Sequence, residues 1–171
     1  MPSVSGLNRT QRGRARDRVV QAALLAVDHA PEIEYTQDLV DRWDGIRNRR
    51  NSFRGEFPRG ADCSSFATWC LWNALHSHFH LDDNVNGEEW DRGFTGSMRL
   101  HGRVVEQTQN VCRGDCVHYD PAPPTFNFEH VTIVVGRNED GDLMVASHGG
   151  DSGPLVTTHD YRPVAHIRRY I

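Results

Sequence analysis

Residues 60–75 read GADCSSFATWCLWNAL, in which a polar loop runs directly into an apolar helical pattern. The apolar side chains that follow Cys63 cover most of the circumference of the predicted helix, which is typical of a central, buried helix. We therefore predict a helix from Cys63 to about Leu75 at the centre of the fold. Asp62 and Cys63 lie at its start, where backbone N–H groups have no partner within the helix.

Cys63 occupies a position at which a thiol is readily activated. The positive end of the helix dipole and the free N–H groups stabilise a thiolate and lower the pKa of the thiol. The same N–H groups can stabilise the oxyanion of a tetrahedral intermediate. Small buried cysteines are also common structural residues. Taken alone, Cys63 leaves a catalytic and a structural interpretation open.

Further helices are predicted on both sides of this central one. They span Thr10 to about Ala30, Thr36 to Trp43 and, with a weaker pattern, Glu88 to Arg92. Asn8 or Thr10 can cap the first of them, and Pro31 follows its end. Gly45 is placed to close the second.

The second half of the chain changes to short segments that are rich in β-branched and aromatic residues. Five strands are predicted, namely Asp115–Tyr119, Val131–Val135, Leu143–Ser147, Leu155–Thr158 and Ala165–Tyr170. The segment Asn138–Gly141 predicts a hairpin turn between the second and third strands. Helices followed by an antiparallel meander predict an α+β fold in which the central helix packs on a sheet of about five strands.

The length of 171 residues predicts a single domain. Within it we distinguish an N-terminal helical extension and loop over residues 1–60 from a core over residues 61–171.

Two histidines stand at the ends of neighbouring predicted strands. His130 precedes Val131 at the mouth of one strand, and His148 ends the next strand after the hairpin. A histidine on a rigid strand can serve as the base that a cysteine nucleophile requires. His148 would then accept the ring N–H of His130 and fix its tautomer. Taken alone, His130 is weak evidence because most histidines lie on the surface, and His148 is equally compatible with a turn position.

Three segments together resemble the NlpC-type superfamily of cell-wall cysteine peptidases, which have a papain-like fold. They are Asp62–Phe66, Gly114–Tyr119 and His130–Gly136, in the order and spacing of that family. The family shows Asp-Cys-Ser-Gly followed by Phe or Leu at the nucleophile, Gly-Asp-Leu-Val-Phe in the middle, and a strand that begins His-Val-Gly-Ile-Tyr. The resemblance covers roughly residues 60–150. Three positions depart from the family pattern and leave the subfamily open, namely Ser65, Cys116 and Thr132.

The resemblance implies a cysteine endopeptidase that cuts a stem-peptide bond of bacterial peptidoglycan, with D-glutamyl–diaminopimelate as the best candidate. It implies Cys63 as nucleophile, His130 as base in a thiolate–imidazolium pair, and His148 as the third catalytic residue. Tyr35, Asp62 and Ser64 are predicted to support the thiol or the oxyanion. Arg54, Arg59 and Ser147 are predicted to bind substrate, the arginines through its carboxylates. This chemistry requires no metal or cofactor.

The chain is also similar to the peptidase domains of phage endolysins of the actinobacteriophage type. No segment has the pattern of a signal peptide or the ~18 apolar residues of a membrane span. We therefore expect a protein that is made in the host cytoplasm, does not insert into the membrane, and reaches the wall after membrane permeabilisation. We also expect it to be a monomer. Whether further lysin domains follow Ile171 stays open.

Charge and cysteine usage argue against other classes of protein. A formal net charge of −4 disfavours sequence-independent nucleic-acid binding. Cys112, Cys116 and His118 lack the second ligand pair of a structural zinc site, and four irregularly spaced cysteines are not a disulfide framework.

Three alternatives stay open: an N-acetylmuramoyl-L-alanine amidase with the same thiol chemistry, a catalytically silent wall-binding module, and a bacterial peptidase with an internal substrate.

Overall fold

The computed structural model describes residues 3–171, which contain four α-helices and eight β-strands connected by loops and short 3₁₀ turns. The helices are α1 (Arg9–Asp28), α2 (Asp44–Arg47), α3 (Cys63–Phe79) and α4 (Thr95–Leu100). The strands are β1 (Glu34–Tyr35), β2 (Gly60–Ala61), β3 (Arg103–Val104), β4 (Cys116–Tyr119), β5 (His130–Arg137), β6 (Leu143–Ser147), β7 (Leu155–Thr158) and β8 (Val164–Arg169). None of these helices combines the length and the apolarity needed to cross a bilayer.

Six of the strands form one antiparallel sheet in the order β3-β8-β4-β5-β6-β7, while β1 and β2 form a separate parallel pair. The predicted α+β class, with helices before an antiparallel meander, is confirmed. The sheet has one strand more than expected because Arg103 and Val104 of β3 pair with the end of β8. Both residues are exposed, so β3 has no apolar alternation by which it could be predicted.

Helices α1 and α3 share one hydrophobic core with β5. Every residue of α3 from Cys63 to Leu75 is buried, which confirms the prediction of a central helix. On α1, Ala15, Ala22 and Ala26 are fully buried, and such small side chains allow the two helices to approach closely. Asn8, one of the two residues predicted to cap α1, forms a capping box with Gln11.

The predicted helix over Thr36–Trp43 is wrong. A short 3₁₀ turn covers Asp41–Trp43, and α2 follows it immediately. Gly45 lies inside α2, where an added Cβ would come within 2.6 Å of Trp69 Cδ1 and 2.7 Å of Pro58 Cγ. This glycine therefore permits close packing and does not end a helix.

The predicted helix near Glu88–Arg92 is also wrong, and the helix of this region is α4, a few residues later. Trp90 is buried and its Nε1 donates a hydrogen bond to the carbonyl of Leu81 at 3.2 Å. A tertiary contact thus fixes this segment as a turn, although its local sequence permits a helix.

Candidate active site

The side chain of Asp62 builds the start of α3. Its Oδ1 accepts hydrogen bonds from the N–H of Ser65 at 2.7 Å and from the hydroxyl of Ser64 at 2.9 Å. The Ser65 hydroxyl in turn accepts from the N–H of Asp62 at 2.9 Å, which completes a capping box. Cys63 is consequently the first residue of the helix. Asp62 and Ser64, predicted as support residues, hold the turn that carries the thiol.

Arg42 connects this cap to the loop that precedes α4. Its Nη1 donates to Asp62 Oδ2 at 2.7 Å, and its Nη2 donates to the carbonyl of Gly93 at 2.7 Å. Two residues later, Thr95 Oγ1 lies 3.8 Å from Cys63 Sγ. Neither Arg42 nor Thr95 was predicted as a site residue, because no local motif links either of them to the cysteine.

The thiol of Cys63 meets the first residues of β5. The backbone N–H groups of Val131 and Ser64 both donate towards its sulfur. Because Val131 directly follows His130, this contact brings the start of β5 to the start of α3. Among residues 3–171, the side-chain hydrogen bond of the thiol is made with Thr95 and not with His130.

His130 is held through one ring nitrogen. Its Nε2 lies 2.8 Å from Ser147 Oγ, and this hydroxyl lies 3.3 Å from the phenol oxygen of Tyr161. The arrangement leaves Nδ1 as the nitrogen that can exchange a proton with a nucleophile. Gly149 packs against the ring, since an added Cβ there would lie 3.0 Å from His130 Cε1. Tyr161 was not identified from the sequence.

The prediction that His148 orients His130 is wrong in its geometry, and Ser147 takes that position. His148 is fully buried. Its ring packs edge-on against Tyr35 and Phe66, and its Nε2 lies 3.4 Å from the carbonyl of Glu34. His148 therefore connects β1 with the end of β6, behind the site.

A β-bulge explains this exchange of roles. The pairing of β5 with β6 shifts by one residue between Val134 and Gly136, so that Ile133 lies opposite Ala146. Continuing this register places Ser147 opposite Thr132, on the face that also carries His130. Without the bulge, His148 would occupy that place, because a shift of one residue moves side chains to the other face of a strand.

Tyr35, predicted as a support residue, lies on β1 and is near enough to Cys63 for the two groups to interact electrostatically. Burial raises the pKa of the Tyr35 phenol, and the nearby Cys63 raises it further. The hydroxyl accepts a hydrogen bond from Gln37 Nε2 at 3.1 Å. Its ring packs edge-on against His148, with ring centroids 5.4 Å apart.

The two predicted substrate-binding arginines lie at different ends of the molecule. Arg54 lines a cavity of about 360 Å³ together with His76 and His80, at the C-terminal end of α3. A 17-residue helix is about 25 Å long, so Arg54 is remote from Cys63 and cannot bind substrate at the thiol. Arg59 directly precedes β2, and its backbone N–H donates to Asp44 Oδ2 at 2.8 Å.

The segment Cys112–His118 is mainly a structural part of the sheet. Cys116 and His118 are fully buried in β4, and the ring of His118 stacks on His166 with centroids 5.0 Å apart. All four cysteines of the chain are free. Within residues 3–171, no group of three or more His, Cys, Asp and Glu side chains has an arrangement that could hold a metal ion.

Solved structures provide the comparison for this architecture. The chain is similar to NlpC1 from Trichomonas vaginalis, with 22% identity and a TM-score of 0.51 over 89% of this chain and 44% of that one. It is similar to NlpC2 from the same organism, with 19% identity and a TM-score of 0.55 over 92% of this chain and 47% of that one. The chain has an NlpC-type fold. It spans less than half the length of either of these proteins. No family model and no curated protein matches the sequence.

Burial in the NlpC-type fold sets the protonation of the two central groups. It raises the pKa of the Cys63 thiol to about 11, an effect that the charge of Asp62 increases and the hydrogen bonds from Val131, Thr95 and Ser64 oppose. Burial also lowers the pKa of His130 to about 4, with a further contribution from Arg162. At neutral pH the resting site therefore holds a thiol and a neutral imidazole. This differs from the predicted thiolate–imidazolium pair.

Alkylation of the resting protein tests this protonation. We expect iodoacetamide to modify Cys63 slowly at pH 7 and at a rate that rises continuously towards pH 10, because only the thiolate reacts. Peptide mass spectrometry separates Cys63 from half-buried Cys112, which provides the internal reference. A fast rate that stays constant from pH 5 to pH 8 would instead indicate a preformed ion pair.

Truncation of Ser147 tests which residue orients His130. We expect Ser147→Ala to lower kcat by about 10- to 100-fold with little loss of thermal stability, because it removes the hydrogen bond at His130 Nε2. His148→Ala removes a fully buried ring and should mainly lower the melting temperature. If His148 oriented His130, the loss of kcat would follow the His148 substitution, and Ser147→Ala would be close to wild type.

Proposed function

We propose that this protein is a cysteine peptidase that cuts bacterial peptidoglycan, with Cys63 as nucleophile and His130 as general base. The observation that supports this most directly is the contact between the start of α3 and the start of β5, where the Val131 N–H points at the Cys63 sulfur. His130 is adjacent in the chain and is oriented by Ser147 at 2.8 Å. A nucleophile, a base and a third group that orients the base are the components of nucleophilic catalysis.

The reaction begins with a proton transfer that accompanies substrate binding. His130 takes the thiol proton as the Cys63 sulfur attacks the scissile carbonyl carbon, and the carbonyl oxygen becomes an oxyanion. Backbone N–H groups at the start of α3, together with the Tyr35 hydroxyl, stabilise that oxyanion. The imidazolium then protonates the leaving amine, the C–N bond breaks, and a thioester remains. His130 next deprotonates a water molecule, which hydrolyses the thioester and restores the thiol. No metal or cofactor takes part.

The substrate that we propose is a stem peptide of peptidoglycan, cut between D-glutamate and diaminopimelate. The NlpC names of the similar structures and the motifs around Cys63 and His130 support this substrate class. We further propose that the protein acts as a monomer in phage-induced host lysis. In that role it is made in the host cytoplasm and meets the wall once the membrane has been permeabilised.

Digestion of purified diaminopimelate-type peptidoglycan, with products identified by mass spectrometry, tests the proposal. Wild type should release peptides with a new diaminopimelate amine terminus, and Cys63→Ala should release none. Products cut between muramic acid and L-alanine would identify the protein as an amidase. An absence of cleavage, combined with co-sedimentation with the wall, would identify a silent binding module. Either result would overturn the proposed peptidase.

A further inference from the structure

Arg162 lies in the wall of the cavity beside His130. This cavity has a volume of about 330 Å³, and among its lining residues are His130, Ser147, Tyr161 and Arg162. None of the residues that line it is an aspartate or a glutamate, so Arg162 is its source of permanent charge. Gly149 and Gly150 also line the cavity, and the backbone of Gly149 packs against the His130 ring.

The guanidinium of Arg162 is buried without a counter-ion. The residue is 8% exposed, and its Nη2 donates to the backbone carbonyls of Asp120 at 2.8 Å and Phe128 at 2.7 Å. Its carbon Cζ also lies 4.5 Å from the ring centroid of Phe126. Among residues 3–171, no carboxylate oxygen lies within 4.0 Å of this guanidinium.

Three other arginines with little exposure are each paired with an aspartate. Arg42, Arg99 and Arg169 expose 13%, 16% and 11% of their side chains, and each lies 2.6 or 2.7 Å from an aspartate oxygen. Burial of a charge costs several kcal/mol unless a partner compensates it. Arg162 has two carbonyls and an aromatic face, which compensate the burial in part and leave a net positive charge facing the cavity.

We propose that Arg162 binds a carboxylate of the substrate in the cavity beside His130, and so selects peptides that carry a free carboxylate near the scissile bond. The inference rests on the proposed peptidase function. It assigns to Arg162 the carboxylate binding that the sequence predicted for Arg54, which the fold places at the far end of α3. An arginine can hold a carboxylate through two parallel hydrogen bonds. Peptidoglycan stem peptides carry such groups on D-glutamate and on diaminopimelate, where amidation removes the charge.

Carboxylate binding at Arg162 would also affect the base. The charge of Arg162 contributes, after burial, to the low pKa of His130. A bound carboxylate neutralises this charge and makes the imidazolium easier to form. The substrate would thereby promote the proton transfer from Cys63 that the resting site disfavours.

The test compares three synthetic stem peptides that differ by one amidation each: the free acid, the D-glutamyl α-carboxamide and the diaminopimelate carboxamide. We expect wild type to cut the free acid with a kcat/KM about 10- to 100-fold above that of at least one carboxamide. Arg162→Gln should lose activity on the free acid and reduce this preference to less than about 3-fold. Arg162→Lys, which keeps the charge but not the forked geometry, should retain part of the preference.

Arg54→Gln is the matched control and should keep the wild-type preference. A structural role for Arg162 would lower kcat/KM equally on all three peptides. That result, or an undiminished preference in folded Arg162→Gln, would overturn the inference. Failure of the proposed function looks different, since wild type would then cut none of the peptides. Calorimetry of their binding to the Cys63→Ala protein would in that case still measure the preference for the carboxylate.

Discussion

Replacement of Cys63 by alanine is expected to lower kcat/KM for stem peptides by about 10⁴-fold or more, while the fold and the binding of the wall are retained. The loss follows from removal of the sulfur that forms the thioester. The fold should survive because the cap of α3 is made by Asp62, Ser64 and Ser65 and not by Cys63. Turnover is measured with a stem peptide, binding by co-sedimentation with the wall, and folding by thermal unfolding.

Two further cysteine variants sharpen this test. Cys63→Ser keeps the size and the hydrogen-bonding capacity of the side chain but provides a far weaker nucleophile, so it should also be nearly inactive. Cys112→Ala changes a half-buried cysteine outside the site and should keep wild-type activity. Hydrolysis by Cys63→Ala at more than about one hundredth of the wild-type rate would contradict the mechanism.

Replacement of His130 by alanine is the second large expected effect, with a loss of kcat of about 10³-fold or more. The pKa of about 11 for the Cys63 thiol makes this base necessary, because at neutral pH almost no thiolate forms without a proton acceptor. We expect the remaining activity of His130→Ala to rise with pH up to pH 10, as the thiol ionises directly. Wild type should already be active at neutral pH.

The matched control for His130→Ala is His78→Ala, which removes an exposed imidazole at the C-terminal end of α3. It should leave kcat and its pH profile unchanged. A loss of less than about 10-fold in His130→Ala, with the pH profile of wild type, would show that His130 is not the base.

Acid–base properties of the site depended on tertiary structure. The start of a helix favours a thiolate, and on that ground the sequence predicted an ion pair. In the folded protein, burial raises the pKa of Cys63, and the charge of Asp62 raises it further. Burial lowers the pKa of His130, and the charge of Arg162 lowers it further. Burial and neighbouring charges thus outweigh the helix terminus, and neither could be read from residues 60–66 alone.

The choice of the residue that orients His130 depended on one bulge. Ser147 and His148 are adjacent, and strand alternation sends their side chains to opposite faces of the sheet. The register shift between Val134 and Gly136 places Ser147 on the face of His130. No local signal in the hairpin sequence specifies this shift, so the sequence left the third residue to be chosen by resemblance.

Local signals were sufficient for the central helix and for the position of Cys63 at its start. The cap at Asp62 and the apolar run after Cys63 specify α3 wherever the rest of the chain lies, and the short β-rich segments specify an antiparallel sheet. Contacts between distant segments decided the rest. Arg42 lies in a 3₁₀ turn, Thr95 begins α4, and Tyr161 and Arg162 are neighbours in the loop before β8. These residues reach the site only when the sheet and helices pack. Sequence periodicity reports the environment of a residue within its own element, whereas an active site is defined by neighbours that are far apart in the chain.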